Sequence, residues 1–168
     1  IRPIAQRLAG IDLSEDMLVE ARKLDVYDET IACELTAYMA SHPTEFDLII
    51  SADTLCYFGK VEPVFRAVFT CLRNNGLFAF TVERMDPAGG KLPYQLQQHG
   101  RYCHAESYVV ESLRESGLAV VELKRAELRL EFGRPVEGLV VIAELAHQLQ
   151  TTNRAPHSVR KFDYSQTG

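Results

Sequence analysis

The chain has 168 residues, 46% of them hydrophobic, which suffices for one domain with a substantial core and falls short of two. Its formal charge of -5 speaks against a polyanionic partner, because phosphate backbones are gripped by clustered Lys and Arg; nucleic acid is not expected. No apolar run approaches the roughly 18 residues that span a bilayer and no secretion signal opens the chain, so no membrane partner and a cytoplasmic location are expected.

The opening residues, Ile1 to Arg7, read as the middle of an amphipathic segment, and the numbering is expected to start inside a longer natural chain. Leu8 to Leu13 is apolar around Gly10 and carries Asp12 near its end, a short buried strand running into a turn. Ser14 then caps a helix, with Glu15 and Asp16 in its first turn, Met17, Leu18 and Ala21 on one apolar face, and Arg22 and Lys23 in its last turn. Thr30 to Leu35 predicts a second strand and Thr36 to Ser41 a helix that His42-Pro43 ends.

Phe46 to Ser51 is continuously apolar from Leu48 to Ile50, which predicts a parallel strand covered on both faces. Val61 to Arg73 has a helical stripe of Val61, Val64, Phe65, Val68, Phe69 and Leu72, and Asn74-Asn75-Gly76 supplies its stop. Leu77 to Val82 is the next buried strand. Past Glu83 the run Met85 to Pro93 is a long connection in which Pro and Gly oppose regular structure, the kind of loop that carries function. Glu106 to Ser116 predicts a helix ending at Gly117. Leu118 to Leu130 and Val136 to Leu145 predict an antiparallel hairpin, and the polar residues 147–168 a flexible tail.

Strands alternating with helices, then a hairpin, give an α/β, Rossmann-like, doubly wound and mostly parallel sheet with an antiparallel edge, formed by residues 1–146. Ligands of such sheets bind at the strands' carboxyl ends. Asp12 stands at one such end and is suited to accept both hydroxyls of a ribose; it is equally suited to cap the following helix with Ser14. Cys33, Cys56, Cys71 and Cys103 are widely spaced and form no C-x-x-C pair, so free thiols are expected. No His and Cys spacing supports a metal site, and no G-x-S-x-G supports a serine hydrolase.

The runs Asp12-Leu13-Ser14-Glu15-Asp16-Met17-Leu18, Phe46-Asp47-Leu48-Ile49-Ile50-Ser51-Ala52-Asp53 and Leu72-Arg73-Asn74-Asn75-Gly76-Leu77-Phe78-Ala79-Phe80 occur in the order and spacing of class I S-adenosylmethionine-dependent methyltransferases. The chain resembles that family from its first helix to its final hairpin. Within it, the chain is similar to the predicted methyltransferases often fused to tetratricopeptide repeats, through Leu55-Cys56-Tyr57-Phe58-Gly59, Gly100-Arg101-Tyr102-Cys103-His104 and Arg134-Pro135-Val136-Glu137-Gly138.

The resemblance implies S-adenosyl-L-methionine as cofactor, with Asp12 on the ribose, Leu13 and Met17 flanking the adenine, Glu34 and Leu35 at its edge, and Ser51, Ala52 and Asp53 on the methionine side. Glu34 departs from the family's commoner Asp. Tyr57, Glu83 and His104 are the candidate catalytic residues, with Tyr94, Arg101 and Tyr102 the candidate substrate wall; His104 is read as a proton acceptor or, in preference, as a cap of the following helix or a residue that orders the loop. The family's glycine-rich motif and its strand are missing: none of the ten glycines forms a G-x-G, so weak cofactor binding by these residues alone, and a gap beside the neighbouring strands, are expected. A small-molecule methyl acceptor is expected, and a homo-oligomer or fused repeat domain as partner in the longer chain. The competing readings are a nicotinamide-dependent Rossmann oxidoreductase and a non-catalytic interaction module on a methyltransferase-like fold.

Overall fold

The computed structural model describes residues 2–86, 92–131 and 133–146. Strand β1 (Ala9–Asp12) runs to Ser14, whose hydroxyl accepts the Met17 N–H at 3.3 Å and starts helix α1 (Glu15–Lys23). Carboxylates in the first turn and Arg22 and Lys23 in the last complement the helix dipole, and Leu18 is its buried side chain. Strand β2 (Glu29–Ala32) pairs in parallel with β1, from Ala9 opposite Glu29 to Asp12 opposite Ala32. It ends three residues before the sequence predicts, because Glu34 becomes the N-cap of α2 (Leu35–Ala40) and takes the Ala37 N–H at 2.8 Å.

Strand β3 (Phe46–Ser51) lies parallel to β4 (Leu72–Arg84), and helix α3 (Glu62–Cys71) connects them. The helix stops two residues sooner than its apolar stripe suggests. Leu72 already pairs with Phe46, and Leu77 with Leu48, so Arg73 to Gly76 bulge outward opposite Asp47. Asn75 turns this bulge with φ 65°, a left-handed conformation that Asn tolerates. Gly76 is required there: a Cβ would stand 2.8 Å from the Arg73 carbonyl oxygen and 3.0 Å from that of Phe46.

After the long connection come two strands that the sequence does not announce. Strands β5 (Tyr94–Leu96) and β6 (Tyr102–His104) are antiparallel, and β6 pairs in parallel with Glu83 and Arg84 of β4. Residues 87–91 of that connection, and the expected tail over 147–168, lie outside the described residues. Helix α4 (Glu106–Glu115) ends at Gly117, φ 82°, where a left-handed residue must turn the chain into β7 (Leu118–Glu131). Strand β8 (Arg134–Leu145) returns antiparallel to β7 and docks antiparallel on β4, so the predicted hairpin closes the sheet.

The larger sheet has the order β5-β6-β4-β8-β7, with β3 also on β4, while β1 and β2 form a separate two-stranded sheet. At Leu77 to Phe80, β4 holds β3 and β8 at once, and at Glu83 it holds β6 and β8. Strands β3 and β6 therefore share one edge of β4, with β6 set beyond the carboxyl end of β3. The expected gap is present: among the described residues no strand pairs with the free edges of β1 and β3.

The expectation that β3 is covered on both faces is corrected. Leu48 and Ile50 are exposed, at 39% and 48%, while Ile49 packs toward the core and Ser51 is buried. A strand paired on one edge, with one face uncovered, buries only alternate side chains however apolar its run. The core lies under α3 and α4, where Phe65, Phe78 and Phe80 meet with ring centroids 4.6 to 6.0 Å apart and Val68, Leu113, Leu139 and Val141 enclose them. Burial of each of these large apolar side chains is worth about 1.5–3 kcal/mol.

Candidate functional site

Arg7 gathers the amino ends of three strands, donating to Glu29 at the start of β2 and to Glu45, just before β3, at 2.9 Å. Asp12, Glu34 and Ser51 consequently fall toward the opposite, carboxyl ends. Asp12 stands half-buried at the tip of β1, with Oδ1 accepting the Ser14 N–H at 2.8 Å, so it does take part in the turn as its capping reading requires. Beside it, Leu13 and Met17 expose 74% and 58% of their surface, an apolar pair next to a carboxylate. Glu34 is committed to α2 through Oε2, which accepts from Thr36 Oγ1 and from the Ala37 N–H; burial alone raises its carboxyl, but these hydrogen bonds outweigh it and hold the pKa below the usual range. Leu35 is the first residue of α2 and packs partly against the core.

At the tip of β3 the Ser51 hydroxyl is buried and makes no hydrogen bond. Ala52 and Asp53 follow it into solvent, with Asp53 at φ 54° and its N–H donated to Thr81 Oγ1 at 3.0 Å. Leu55–Tyr57 form a single 3-10 turn that buries Leu55 and Cys56 and leaves Tyr57 exposed. Glu83, near the end of β4, is 3% exposed.

A guanidinium that the sequence gives no reason to single out joins these residues. Arg129, near the carboxyl end of β7, donates to Asp53 Oδ1 at 2.8 Å, Glu83 Oε1 at 2.5 Å and Glu131 Oε2 at 3.2 Å. A register shift between Glu127 and Arg129 leaves Leu128 unpaired, the kind of irregularity that re-aims the side chains after it. Burial works against the Arg129 charge, but the hydrogen bond and charge of Glu83, together with Asp53, more than offset it and hold its pKa above the ordinary value. Alternating Arg129 and Glu131 at the end of a strand are the one sequence sign of this arrangement, and alternation alone reads as a solvated edge.

Arg101 lies nearby under looser constraint. It is 5.6 Å over the Tyr57 ring, its Nη2 is 3.4 Å from the Tyr57 hydroxyl, and its contacts with Asp53 and Glu131 are both 3.8 Å. Tyr94 and Tyr102 meet edge to face at 5.9 Å, and both press on Gly59, where a Cβ would come within 2.8 and 3.0 Å of their rings. A cleft of about 300 Å³ opens at the end of β4, lined by Glu83, Gln97, His99, Cys103 and Val136 among others.

Of the two readings of His104, the structure supports the ordering role and not the proton acceptor. The ring is wholly buried, and its Nε2 lies 2.8 Å from the Phe58 carbonyl oxygen and 3.1 Å from that of Gly59. Two carbonyls as neighbours require Nε2 to carry the proton. Nδ1 is then an acceptor without a partner, and burial, opposed by those carbonyls, pushes the imidazole pKa down. A proton acceptor must reach its substrate, and this ring instead anchors the Phe58-Gly59 segment to β6.

Glu83, His99 and Glu131 also bring three ligand-type atoms within 4.8 Å of one another. Arg129 already donates to both carboxylates, so a cation there would have to displace a guanidinium. The four cysteines are free thiols, Cys56, Cys71 and Cys103 of them buried. No helix among the described residues is long and apolar enough to cross a membrane.

Residues 1–80, just under half of the chain, match the sequence family described as a methyltransferase domain. No curated protein matches the chain. Among solved structures, an S-adenosylmethionine-dependent methyltransferase from Mesorhizobium loti is 23% identical with TM-score 0.62, over 83% of this chain and 81% of that one. The N-methyltransferase NodS of Bradyrhizobium japonicum, solved with S-adenosyl-L-homocysteine, is 19% identical with TM-score 0.63, over 85% and 68%. The 1,6-didemethyltoxoflavin-N1-methyltransferase of Burkholderia thailandensis, solved with its ligand and S-adenosylhomocysteine, is 19% identical with TM-score 0.63, over 83% and 61%. The first 80 residues thus resemble a methyltransferase domain in sequence, and the chain shares the fold of these solved S-adenosylmethionine-dependent methyltransferases.

Proposed function

We propose that the protein is an S-adenosyl-L-methionine-dependent methyltransferase acting on a small molecule, that Asp12, Leu13, Met17, Glu34 and Leu35 hold the adenosine, and that Ser51, Ala52 and Asp53 face the methionine side. The observation that carries this reading is the pairing of a carboxylate at the tip of β1 with the exposed apolar surfaces of Leu13 and Met17, matched at the tip of β3 by a buried, unbonded Ser51 hydroxyl. These residues fit a nucleoside: the second Asp12 oxygen suits the ribose hydroxyls, and an adenine ring covers the two apolar side chains. They do not supply the backbone approach that the amino-acid end needs, since no G-x-G is present. These 168 residues alone accordingly bind the cofactor weakly.

When bound, the cofactor supplies an electrophilic methyl group on a sulfonium, and its transfer depends on alignment and exclusion of water more than on an acid or base. Tyr57, Glu83 and Arg101 are the side chains at the strand ends positioned to meet an acceptor, with Tyr94 and Tyr102 as the wall behind them. A solved structure of this fold whose name specifies a small acceptor, the toxoflavin enzyme, supports the small-molecule reading. The likeness to methyltransferases fused to tetratricopeptide repeats belongs to the same proposal and rests on the runs Leu55 to Gly59, Gly100 to His104 and Arg134 to Gly138. The methyltransferase match disfavours the nicotinamide and interaction-module readings.

Calorimetric titration of the protein at its natural length with S-adenosylhomocysteine and with a nicotinamide dinucleotide decides between these readings. Binding of the first alone is expected. Binding of the second, or of neither, overturns the proposal.

A further inference from the structure

Resting on that reading, we propose that Arg129 is the positioning residue of the site: through one guanidinium the C-terminal hairpin sets the separation and direction of Asp53, at the end of β3, and of Glu83, in β4. The two carboxylates come from strands that are neighbours in the sheet, and both are anions, so they repel one another unless a cation stands between them. Arg129 stands there, with Nη1 on Asp53 Oδ1 at 2.8 Å and Nη2 on Glu83 Oε1 at 2.5 Å.

Glu83 is almost wholly buried, and a buried carboxylate without a partner is costly. The groups around the pair are few. Asp53 is approached by Arg101 at 3.8 Å and by the Cys56 thiol, and Glu83 by His99 at 3.7 Å; Glu131 shares Nη2 at 3.2 Å. None of these besides Arg129 makes a short bond to both carboxylates. A planar fork can span two acceptors, whereas a lysine ammonium is a single point charge on a flexible stem.

Asp53 is also the residue least able to hold itself in place. Its backbone is in the left-handed region, its N–H bonded to Thr81 and its carbonyl accepting only a weak bond from the Cys56 thiol, and its side chain is half exposed. The clamp therefore ties the loop that faces the cofactor's methionine side to a hairpin 76 residues further along the chain. Closing one arginine bridge aligns both walls at once, and the remaining Glu83 oxygen is left directed toward the cleft and His99.

The test uses the protein at its natural length, with S-adenosylhomocysteine as the calorimetric probe and thermal unfolding measured alongside. Arg129→Met and Arg129→Lys are each expected to weaken binding about tenfold, since the fork and not the charge is lost in the second. Combining Arg129→Met with Asp53→Asn is expected to weaken it no further than Asp53→Asn alone. Unchanged affinity in both Arg129 variants, or losses that simply add in the double variant, overturns the proposal, whatever happens to the melting temperature. Should Arg129→Met fail to fold, Arg129→Lys carries the same comparison. If the unsubstituted protein binds no S-adenosylhomocysteine, the cofactor reading falls, and amide exchange in the free protein then decides the part played by Arg129: faster exchange from Ala52 to Thr54 in Arg129→Lys is expected, and an unchanged rate overturns it.

Discussion

His104 Nε2 lies 2.8 Å from the carbonyl oxygen of Phe58, a contact that joins β6 to the segment following the Leu55–Tyr57 turn across 46 residues of sequence. Because the ring is buried and its pKa pushed down, the folded protein holds it neutral where the unfolded chain takes up a proton. Unfolding therefore binds protons below about pH 6.5, the ordinary range for histidine, and stability is full above that range and falls as the pH drops through it. Urea denaturation of the native protein between pH 7.5 and pH 5 is expected to show this loss, and His104→Gln to flatten it while lowering stability at pH 7.5 by about 1–3 kcal/mol. An identical pH dependence in the variant refutes the assignment.

Asp12→Ala is expected to abolish binding of S-adenosylhomocysteine while the fold persists. Among the described residues its side chain is bonded by the Ser14 N–H alone, and a turn bond of that kind is worth about 1 kcal/mol. Unaltered affinity in calorimetry removes the ribose role.

Phe65→Ala removes the ring at the centre of the aromatic cluster with Phe78 and Phe80. A loss of about 3–5 kcal/mol in unfolding free energy is expected. Leu130→Ala, at a side chain 65% exposed, serves as the control and is expected to change stability by less than about 0.5 kcal/mol.

Burial pushes the Cys56 and Cys71 thiols up to about 11, leaving almost no thiolate at pH 8. Cys33 is partly exposed. Ellman's reagent at pH 8 is expected to label Cys33 first among the four, with Cys56 and Cys71 reacting only after urea is added. Prompt labelling of Cys71 in the native protein contradicts the burial of α3's inner face.

Much of this architecture is written locally. Ser14 with Glu15 and Asp16 announces α1, Gly117 separates α4 from β7, and the two long apolar runs that follow pair as the expected hairpin. The short strands β5 and β6 escape such reading because three-residue strands have too little periodicity to register, and their pairing is tertiary, β6 on the end of β4 and β5 on β6. Leu48 and Ile50 mislead in the other direction: hydrophobicity states what a side chain prefers, and the layer packed on its face of the sheet decides whether it is covered. The candidate site divides in the same manner. Asp12 and Ser51 sit at strand ends that the pattern locates, whereas Arg129 reaches Asp53 and Glu83 from a hairpin whose bulge is invisible until β7 and β8 are paired.

The outward bulge from Arg73 to Asn75 has a practical use. It is solvent-facing and lies at the amino ends of β3 and β4, whereas Ser51, Asp53 and Glu83 occupy the far ends of those strands. A fluorophore or spin label attached at Asn74 thus reports on the protein's tumbling and on its encounters with other molecules, while the ligand-facing rim stays chemically untouched.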